Sequence, residues 1–288
     1  MPAEAVRRHA LESVTSHLRC PVCTGQMRLA SARLLCGNGH SFDVARQGYV
    51  NLTAGRAHPG TADTASMIAA RERFLGRGHY RPLAEALRSL AAGREPAGPG
   101  LVVDLAGGTG YYLAAVLDGL PHRHGLCVDL SAAALRRAAR AHPRGAAVGA
   151  DVWRRLPLAP GSAVLILSVF GPRNAAEIGR VLAPGGALIV AAPGAGHLRE
   201  LRGPLGLIGV DRHKARRLAG AFGGYAKPGT QTLAYRLNLD HAEVTALVAM
   251  GPSAHHVGPD VLADRIRALP SPVAVTVDLH ISAYQRRG

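Results

Sequence analysis

The sequence predicts an α/β protein in which a small metal-stabilised module precedes a larger domain built on a parallel sheet. Two observations lead to this fold class. Three of the four cysteines lie between positions 20 and 36, and beyond position 100 short apolar runs alternate with helical patterns. Strands that alternate with helices along the chain form βαβ units around a parallel sheet. With 288 residues, 48% of them hydrophobic, the chain is long enough to bury such a core.

The early cysteines have the spacing of zinc ligands. Cys20 and Cys23 form one C-x2-C pair, and Cys36 and His40 follow after twelve residues as a second pair. A lone cysteine is usually a small buried hydrophobe, which is how we interpret Cys127, but four ligands in this pattern suit Zn²⁺. Four protein ligands leave no open position for chemistry, so we expect a structural zinc ion whose binding supplies folding energy.

A Pro/Gly-rich segment at 91–100 marks the main boundary in the chain. Before it, residues 61–90 show helical periodicity with Pro82 at a helix start. We therefore predict a metal module at 1–48, a helical connector and linker at 49–98, and the α/β domain at 99–288. In that domain we predict strands at 101–105, 125–130, 146–150, 163–170, 187–191, 231–239 and 273–284, and helices at 111–120, 132–141, 175–182 and 242–250.

A glycine turn follows the first strand of the α/β domain. Residues 106–110 read Ala-Gly-Gly-Thr-Gly and lead directly into a helical pattern. Glycines let backbone approach a ligand closely, and a helix N-terminus favours polar or anionic groups. The dinucleotide fingerprint G-x-G-x-x-G fails here, because alignment on Gly108 and Gly110 puts Leu113 at the third glycine. A dehydrogenase is therefore disfavoured.

Acidic residues come at the ends of three consecutive predicted strands, as Asp104, Asp129 and Asp151. Ligands of open α/β sheets bind at the carboxyl ends of the strands, where these side chains would meet. Asp104 suits an ammonium group or the glycine loop, Asp129 suits ribose hydroxyls, and Asp151 suits an adenine amino group. Strand-end acids are also common caps, but together with the glycine turn they favour an adenosyl ligand.

The charge balance is strongly basic. The net charge is +15, and 32 of the cationic residues are arginines against two lysines. Arginine binds phosphates and stacks on bases, so the composition favours an acidic polymer as partner; the alternative is a solvated surface from an arginine-rich coding bias. No apolar run is long enough to span a membrane and none near the start resembles a signal peptide, so we expect a cytoplasmic protein with reduced thiols.

These motifs, in this order, resemble the 23S rRNA (guanine-N1) methyltransferases, in particular the branch that includes macrolide-resistance enzymes. The matching stretches extend over most of the chain, at 20–23, 36–52, 78–82, 104–112, 128–131, 169–174, 177–186 and 193–201. One departure concerns the glycine turn, where the family's usual Gly-Cys-Gly-Glu-Gly is Ala-Gly-Gly-Thr-Gly in this chain.

The resemblance implies an N-terminal zinc ribbon that recognises RNA, followed by a seven-stranded Rossmann-like class I methyltransferase domain that uses S-adenosylmethionine. It implies cofactor contacts around Thr109 and Gly110, and it adds Tyr80 and His197, which could instead be a packing aromatic and a loop residue. The predicted cofactor site comprises Tyr80, Asp104, Gly107, Gly108, Thr109, Gly110, Asp129, Asp151 and His197.

The implied reaction is methyl transfer to N1 of a guanine in a domain II hairpin loop of 23S rRNA, near the macrolide-binding tunnel. N1 lies on the Watson–Crick edge, so the guanine must be unpaired or flipped out. Holding N1 near the methyl carbon supplies most of the catalysis, and N1 must also lose its proton. The candidate proton acceptors are Asp151, His197 and the loop 170–174; within that loop we name Phe170, Arg173 and Asn174 as candidate catalytic residues.

Three interpretations remain open from the sequence. The first is the rRNA methyltransferase, acting as a homodimer that cradles RNA. The second is a small-molecule methyltransferase of an antibiotic pathway, which would carry a lid or an apolar substrate domain in place of the ribbon and the basic surface. The third is an RNA-binding zinc protein whose α/β domain no longer catalyses, which weak cofactor binding would reveal.

Overall fold

The structure is a computed structural model that describes residues 3–55, 62–94, 98–207, 222, 225–251 and 258–287. Thr61, at the start of the predicted helical pattern, and linker residues 95–97 lie outside the described residues. None of the helices in the described ranges is long and apolar enough to cross a membrane.

A three-stranded antiparallel sheet forms the front of the chain. Helix α1 (Ala3–Thr15) precedes β1 (Met27–Ala30), β2 (Arg33–Cys36) and β3 (Ser41–Asp43), which pair in the order β1-β2-β3. The two-residue strand β4 (Val50–Asn51) follows and leaves this small sheet to pair with the large one. The predicted 49–98 segment therefore begins with a strand, and then supplies α2 (Ala65–Gly76) and α3 (Arg81–Ala92).

Seven further strands build the body of the large sheet. They are β5 (Leu101–Leu105), β6 (Gly125–Asp129), β7 (Gly145–Gly149), β8 (Ala163–Val169), β9 (Leu182–Pro193), β10 (Ala226–Leu239) and β11 (Val273–Gln285). The helices between them are α4 (Tyr111–Asp118), α5 (Ala132–Ala141), α6 (Ala175–Val181), α7 (Arg199–Leu205), α8 (His241–Ala249) and α9 (Pro259–Arg267).

The strand order of the large sheet is β10-β11-β9-β8-β5-β6-β7-β4. Strands β4 to β9 run parallel to one another, and β11 inserts antiparallel between β9 and β10. The seven strands predicted for the α/β domain are thus all present, and β4 extends them at one edge. The order reverses between β5 and β8, which is the point where open α/β sheets bind ligands.

Alternate residues of the buried strands cover the two faces of the sheet with separate apolar layers. On one face Val102, Cys127 and Ala147 pack with helices α2 to α5 and α7 to α9. On the other face Val103, Val128 and Val148 pack with α1, the small sheet and α6. Cys127 is fully buried in the first layer, as predicted for a core cysteine.

Helix α1 takes the place of a helix that the β7–β8 connection lacks. Residues 150–162 contain no helix, whereas doubly wound folds usually place one there. Leu11, Val14 and Leu18 are fully buried against the uncovered sheet face. The chain after α1 is also hydrogen-bonded to this connection, from Arg19 N to Pro157 O (3.0 Å) and from Ala159 N to His17 O (2.8 Å). The N-terminal segment is therefore part of the core of the larger domain.

Helices α1, α7 and α9 were not predicted from the sequence. The first four turns of the chain are rich in charge, and α7 and α9 are short, so their apolar positions give little periodicity. The helical pattern at 61–90 is two helices, separated by a turn in which Gly78 has φ +80°. Only glycine adopts this backbone region without strain.

We expect Leu11→Ala to destabilise the whole α/β domain, because Leu11 is fully buried between α1 and the large sheet. Loss of a buried leucine side chain costs about 2–5 kcal/mol. Urea denaturation followed by far-UV circular dichroism measures the loss. The matched control is Glu12→Ala, an exposed position on the same helix, which should change the unfolding free energy by less than ~0.5 kcal/mol. Equal stability of the two variants would show that α1 is dispensable for the sheet.

Candidate cofactor site and metal centre

The four predicted metal ligands lie together at the tip of the small sheet. The ligand atoms of Cys20, Cys23, Cys36 and His40 all lie within 4.8 Å of one another. The Sγ atoms of Cys23 and Cys36 are 3.7 Å apart, and Cys36 Sγ lies 3.3 Å from His40 Nδ1. Tetrahedral Zn²⁺ with bonds of about 2.3 Å to sulfur and about 2.0 Å to nitrogen needs spacings of this size. The four residues therefore fit a zinc ion.

Two tight backbone turns present these ligands. Cys20 N donates to Gly25 O (2.8 Å), and Cys36 N donates to His40 O (3.0 Å), so each pair closes its own loop. Burial acts to raise the pKa of Cys36, but the hydrogen bond with His40 and backbone N–H groups lower it to about 6. A thiolate, the form that binds zinc, is therefore the favoured state of Cys36 at neutral pH.

The glycine turn follows β5 as predicted and makes close backbone contacts. Ala106, Gly108 and Gly110 all have positive φ, at +54°, +57° and +76°. A Cβ at Gly107 would lie 2.7 Å from the Asp104 carboxylate and from Cys127 Sγ, so only glycine fits there. A Cβ at Gly110 would lie 3.0 Å from Ala138 Cα. The turn is therefore packed tightly between β5 and α5, with Thr109 half-buried at the start of α4.

Asp129 ties this turn to the next strand. Its carboxylate accepts hydrogen bonds from Gly108 N (2.9 Å) and Ser131 N (2.8 Å). Burial raises the pKa of Asp129, and these two hydrogen bonds limit the rise. The carboxylate therefore fixes both the glycine turn and Ser131, the residue that caps α5. It lies at the strand end where an adenosyl ligand would place its ribose.

Asp104 is a buried carboxylate without a protein donor. It is 1% exposed, and neither of its oxygens has a hydrogen-bond partner in the structure. Burial, with a smaller contribution from the Asp129 charge, raises the pKa of Asp104 to about 8. A buried acceptor with no donor is costly in free energy, so a cationic or donor-bearing ligand beside it is favoured.

Asp151 ends the third strand of the set and is 5% exposed. Its Oδ1 accepts a hydrogen bond from Trp153 N (2.9 Å), and Arg154 Nε lies 3.6 Å from Oδ2. Asp104 and Asp129 therefore lie at the carboxyl ends of β5 and β6, and Asp151 comes just after β7, at the edge of the sheet that the sequence predicts.

The start of the helical connector covers the glycine turn, which the sequence did not reveal. Asp63 O accepts a hydrogen bond from Ser131 Oγ (2.7 Å), and Asp63 Oδ2 lies 2.6 Å from Arg71 Nη1. The same guanidinium donates to Met250 O (2.8 Å) and sits directly above Gly108. Sequence signals for this contact are weak, because Asp63 and Arg71 are ordinary surface residue types.

Tyr80, Phe170 and His197 meet in one aromatic cluster at the end of β8. The ring centroids of Tyr80 and Phe170 are 6.0 Å apart, and those of Phe170 and His197 are 6.3 Å apart with an interplanar angle of 23°. Tyr80 Oη lies 3.5 Å from His197 Nε2. Tyr80 is buried, whereas Phe170 is 37% exposed. Tyr80 and His197, predicted as cofactor contacts, thus lie in one cluster with Phe170, predicted as a catalytic candidate.

The backbone of this cluster is held in unusual conformations. Phe170 has φ +58° and Leu198, next to His197, has φ +55°. Bulky residues adopt such angles at a cost and mostly at functional sites. Phe170 N donates to Ala191 O (3.0 Å) and Leu198 N donates to Thr276 O (2.8 Å), so the neighbouring strands fix both residues.

Burial lowers the pKa of His197 to about 4, against a smaller upward effect of Asp278. The imidazole is therefore neutral at physiological pH. Its Nδ1 faces Asp278 N at 3.4 Å, which makes Nδ1 the acceptor and leaves the ring proton on Nε2. The cluster presents a neutral hydrogen-bond donor next to the exposed Phe170 ring.

Of the two candidates that follow Phe170, Asn174 is hydrogen-bonded to protein groups, whereas Arg173 has buried nitrogens without an acceptor. Asn174 caps α6, because its Oδ1 accepts from Glu177 N (3.3 Å), and its Nδ2 donates to Trp153 O (3.0 Å). Burial lowers the pKa of Arg173, and the charge of Tyr284 acts in the other direction. Its Nε and Nη2 are buried without a hydrogen-bond acceptor.

The carboxyl edge of the sheet fits S-adenosylmethionine. The unpartnered Asp104 carboxylate suits a cationic ligand, while the Asp129 and Asp151 carboxylates lie at two successive strand ends. The close glycine turn leaves backbone approachable, and the neutral His197 adds no positive charge that would repel a sulfonium.

Comparisons with known protein families agree with both parts of the chain. Residues 18–54 match the family described as RlmA, N-terminal, a zinc ribbon. Residues 102–186 match a methyltransferase domain family. The first range contains all four metal-ligand candidates, and the second contains the glycine turn and the three strand-end acids.

Two curated relatives match nearly the whole chain. The chain is 48% identical to the 23S rRNA (guanine(748)-N(1))-methyltransferase of Streptomyces fradiae, over 93% of this chain and 96% of the relative. It is 49% identical to a protein of Micromonospora griseorubida that is named as a 23S rRNA (guanine-N(1)-)-methyltransferase, over 93% of this chain and 97% of the relative. Among solved structures, YcgJ from Bacillus subtilis superposes with a TM-score of 0.50 at 15% identity, over 70% of this chain and 98% of that one, which shows the shared fold alone.

We expect Cys36→Ser to remove the zinc ion, because it deletes one of four ligands at the centre of the cluster. Plasma mass spectrometry of the purified protein should find about one zinc per chain in the wild type, as for a closed four-ligand site, and little in the variant. Cys127→Ala is the matched control, since Cys127 is buried in the core of the larger domain. A full zinc equivalent in Cys36→Ser would contradict the assigned ligand set.

The neutral form of Asp104 should make stability depend on pH. The folded protein keeps this proton up to a pKa of about 8, whereas the unfolded chain releases it near the ordinary value of about 4. Between these values the unfolding free energy falls as pH rises, by at most about 1.4 kcal/mol per pH unit, and it levels off above pH ~8. Asp104→Asn removes this contribution, so its stability relative to the wild type should increase from pH 5 to pH 8.

Urea denaturation at both pH values tests this, with Asp264→Asn as control because the Asp264 side chain is 70% exposed. Parallel pH profiles for the wild type and Asp104→Asn would mean that Asp104 is ionised in the folded protein.

Proposed function

The chain belongs to the 23S rRNA (guanine-N1)-methyltransferase family, and we propose that it methylates N1 of one guanine in the domain II hairpin loop of 23S rRNA. The observation that carries this proposal is the aromatic cluster of Tyr80, Phe170 and His197, which stands at the end of β8 beside the strand-end acids. It brings a base-stacking surface to the edge where the cofactor residues converge.

We assign cofactor binding to the glycine turn and the strand ends. Asp129 suits the ribose, Asp151 the adenine amino group, and Asp104 the cationic end of the ligand, as its unpartnered carboxylate supports. When bound, S-adenosylmethionine supplies an electrophilic methyl group on a sulfonium. Tyr80 and His197 border the same site, and the Arg71 guanidinium lies next to Gly108 in the glycine turn.

Phe170 is proposed to stack on the target guanine. Its ring is 37% exposed and fixed by a strained backbone, so it offers a rigid face to a base that has left its stack. The fixed ring would hold N1 in line for methylation, and positioning of this kind lowers the barrier substantially. His197 acts as a positioning residue, because its Nε2–H is directed toward Tyr80 Oη, which keeps the cluster in one arrangement.

The loop after Phe170 supports this surface. Asn174 fixes the loop to α6 and to the turn at Trp153, and we propose that this positions Phe170. Arg173 remains a proposed contact to the base or to a phosphate, because its buried guanidinium has two nitrogens without an acceptor.

The relative from Streptomyces fradiae is named for guanine 748, and we propose the corresponding guanine as the target here. A methyl group on N1 removes a Watson–Crick donor and adds bulk beside the macrolide-binding tunnel, which is a physical route to macrolide resistance. Since the substrate is ribosomal RNA, we expect the protein to act in the cytoplasm, and the homodimer stays a prediction.

Transfer of labelled methyl groups to unmodified 23S rRNA tests the proposed function. We expect incorporation of about one methyl group per rRNA and a single reverse-transcription stop at the domain II hairpin, because N1-methylguanine cannot pair. No incorporation by a zinc-loaded protein that binds S-adenosylhomocysteine would favour a non-catalytic or small-molecule role. A stop in another hairpin would keep the reaction and overturn the site.

The same assay tests the stacking surface through Phe170→Ala. We expect turnover on rRNA to fall by about ten-fold or more, the usual cost of losing a stacked aromatic, with S-adenosylhomocysteine affinity nearly unchanged. Asp129→Asn should instead lose mainly S-adenosylhomocysteine affinity. A Phe170→Ala enzyme with wild-type turnover would remove Phe170 from the substrate site.

A further inference from the structure

The turn that follows β7 exposes three large side chains in a row. Trp153, Arg154 and Arg155 are all solvent-exposed, and Trp153, the single tryptophan of the chain, is 57% exposed. Among the described residues, Trp153 and Phe170 are the two exposed large aromatic side chains. Both lie at the carboxyl edge of the large sheet, after β7 and after β8.

This turn is held firmly on every side. Trp153 N donates to Asp151 Oδ1 (2.9 Å), and Trp153 O accepts from Asn174 Nδ2 (3.0 Å). Leu156 N donates to Glu177 Oε2 (2.8 Å), and Arg180 donates to the carbonyls of Leu156 and Leu158. The backbone that carries Trp153 is therefore fixed by hydrogen bonds to its neighbours.

The turn also connects the two functional parts of the molecule. On one side it is joined through Asn174 to the loop that carries Phe170. On the other side Pro157 and Ala159 are hydrogen-bonded to residues 17–19, immediately before the first zinc ligand. The turn is therefore hydrogen-bonded to segments that adjoin both parts.

We propose that the segment 153–155 is an RNA contact in which Trp153 stacks on an unpaired base next to the target guanine and Arg155 binds a flanking phosphate. The inference rests on the proposed rRNA substrate and names a contact for it. An indole ring stacks on any base, and an exposed guanidinium binds backbone phosphate, so the pair suits a splayed hairpin loop. Arg154 lies 3.6 Å from Asp151 and stays at the rim as a further cation.

The competing occupant is the adenine of the cofactor, because Asp151 lies two residues before Trp153. The charge beside the ring argues for the RNA, because the exposed Arg154 and Arg155 match a polyanion better than an uncharged base.

Fluorescence of the single tryptophan distinguishes these occupants. The full-length zinc-loaded protein is titrated with a synthetic RNA of the domain II hairpin, with a blunt RNA duplex of equal length, and with S-adenosylhomocysteine. We expect the hairpin to quench the emission strongly and the other two to leave it nearly unchanged, because only the hairpin offers unpaired bases. Quenching by S-adenosylhomocysteine alone, or equal quenching by duplex and hairpin, would overturn the proposal.

Variants give an independent readout. We expect Trp153→Ala to weaken hairpin binding on the order of ten-fold without changing S-adenosylhomocysteine affinity, and Trp153→Phe to retain most of the affinity. Arg155→Ala should lower the magnitude of the salt slope of binding by about 0.7, the loss of one phosphate contact on single-stranded RNA. Val261→Ala, an exposed apolar position on α9, is the matched control and should bind like the wild type.

Methylation of 23S rRNA by the wild type distinguishes a wrong Trp153 contact from a wrong proposed function. If the wild type methylates rRNA but Trp153→Ala binds the hairpin with unchanged affinity, the contact is wrong and the function stands. If Trp153→Ala loses S-adenosylhomocysteine affinity instead, the ring covers the cofactor and the RNA contact is again wrong. If the wild type methylates no rRNA, the proposed function itself fails.

Discussion

The parallel register of β5 to β8 is the constraint on which the site depends. Because these strands run in the same direction, their carboxyl ends meet at one edge, and each contributes its next residues to that edge. Four residues that are far apart in sequence lie at this edge for that reason: Asp104, Asp129, Asp151 and Phe170. Asp129 then locks the edge, since one carboxylate holds both the glycine turn and the start of α5.

The metal module and the larger domain form a single folded body. Leu11, Val14 and Leu18 share an apolar layer with the sheet strands, and Cys20 and Cys36 lie at the end of the same layer. Metal binding closes two loops that contain few apolar residues of their own. The shared apolar layer holds α1 on the sheet face that the β7–β8 connection leaves without a helix. Zinc binding is therefore expected to stabilise the packing of α1 on the sheet as well as the two ligand loops.

Local patterns predicted the elements and the ligands that are close in sequence. The four zinc ligands form two short pairs and the glycine turn is five residues long, so spacing alone identified them. The three acids could be placed because sheet topology fixes where a parallel strand ends. Contacts over long separations could not be predicted: Arg71 reaches Met250, and Tyr80 reaches His197, through packing that leaves no periodic signal. Helix α1 was missed because its buried face packs on a sheet whose central strands begin only at Leu101.

The pairing of residues 17–19 with 157–159 bears on how such enzymes can be recombined. An RNA-recognition appendage on a flexible tether can be exchanged between enzymes by a simple fusion at the tether. Here the first zinc ligand follows directly on a segment bound to the catalytic sheet, with α1 before it in the same apolar layer. A transplanted ribbon would have to bring α1 and a matching 150–162 segment with it, so the zinc ribbon and the methyltransferase scaffold are inherited together.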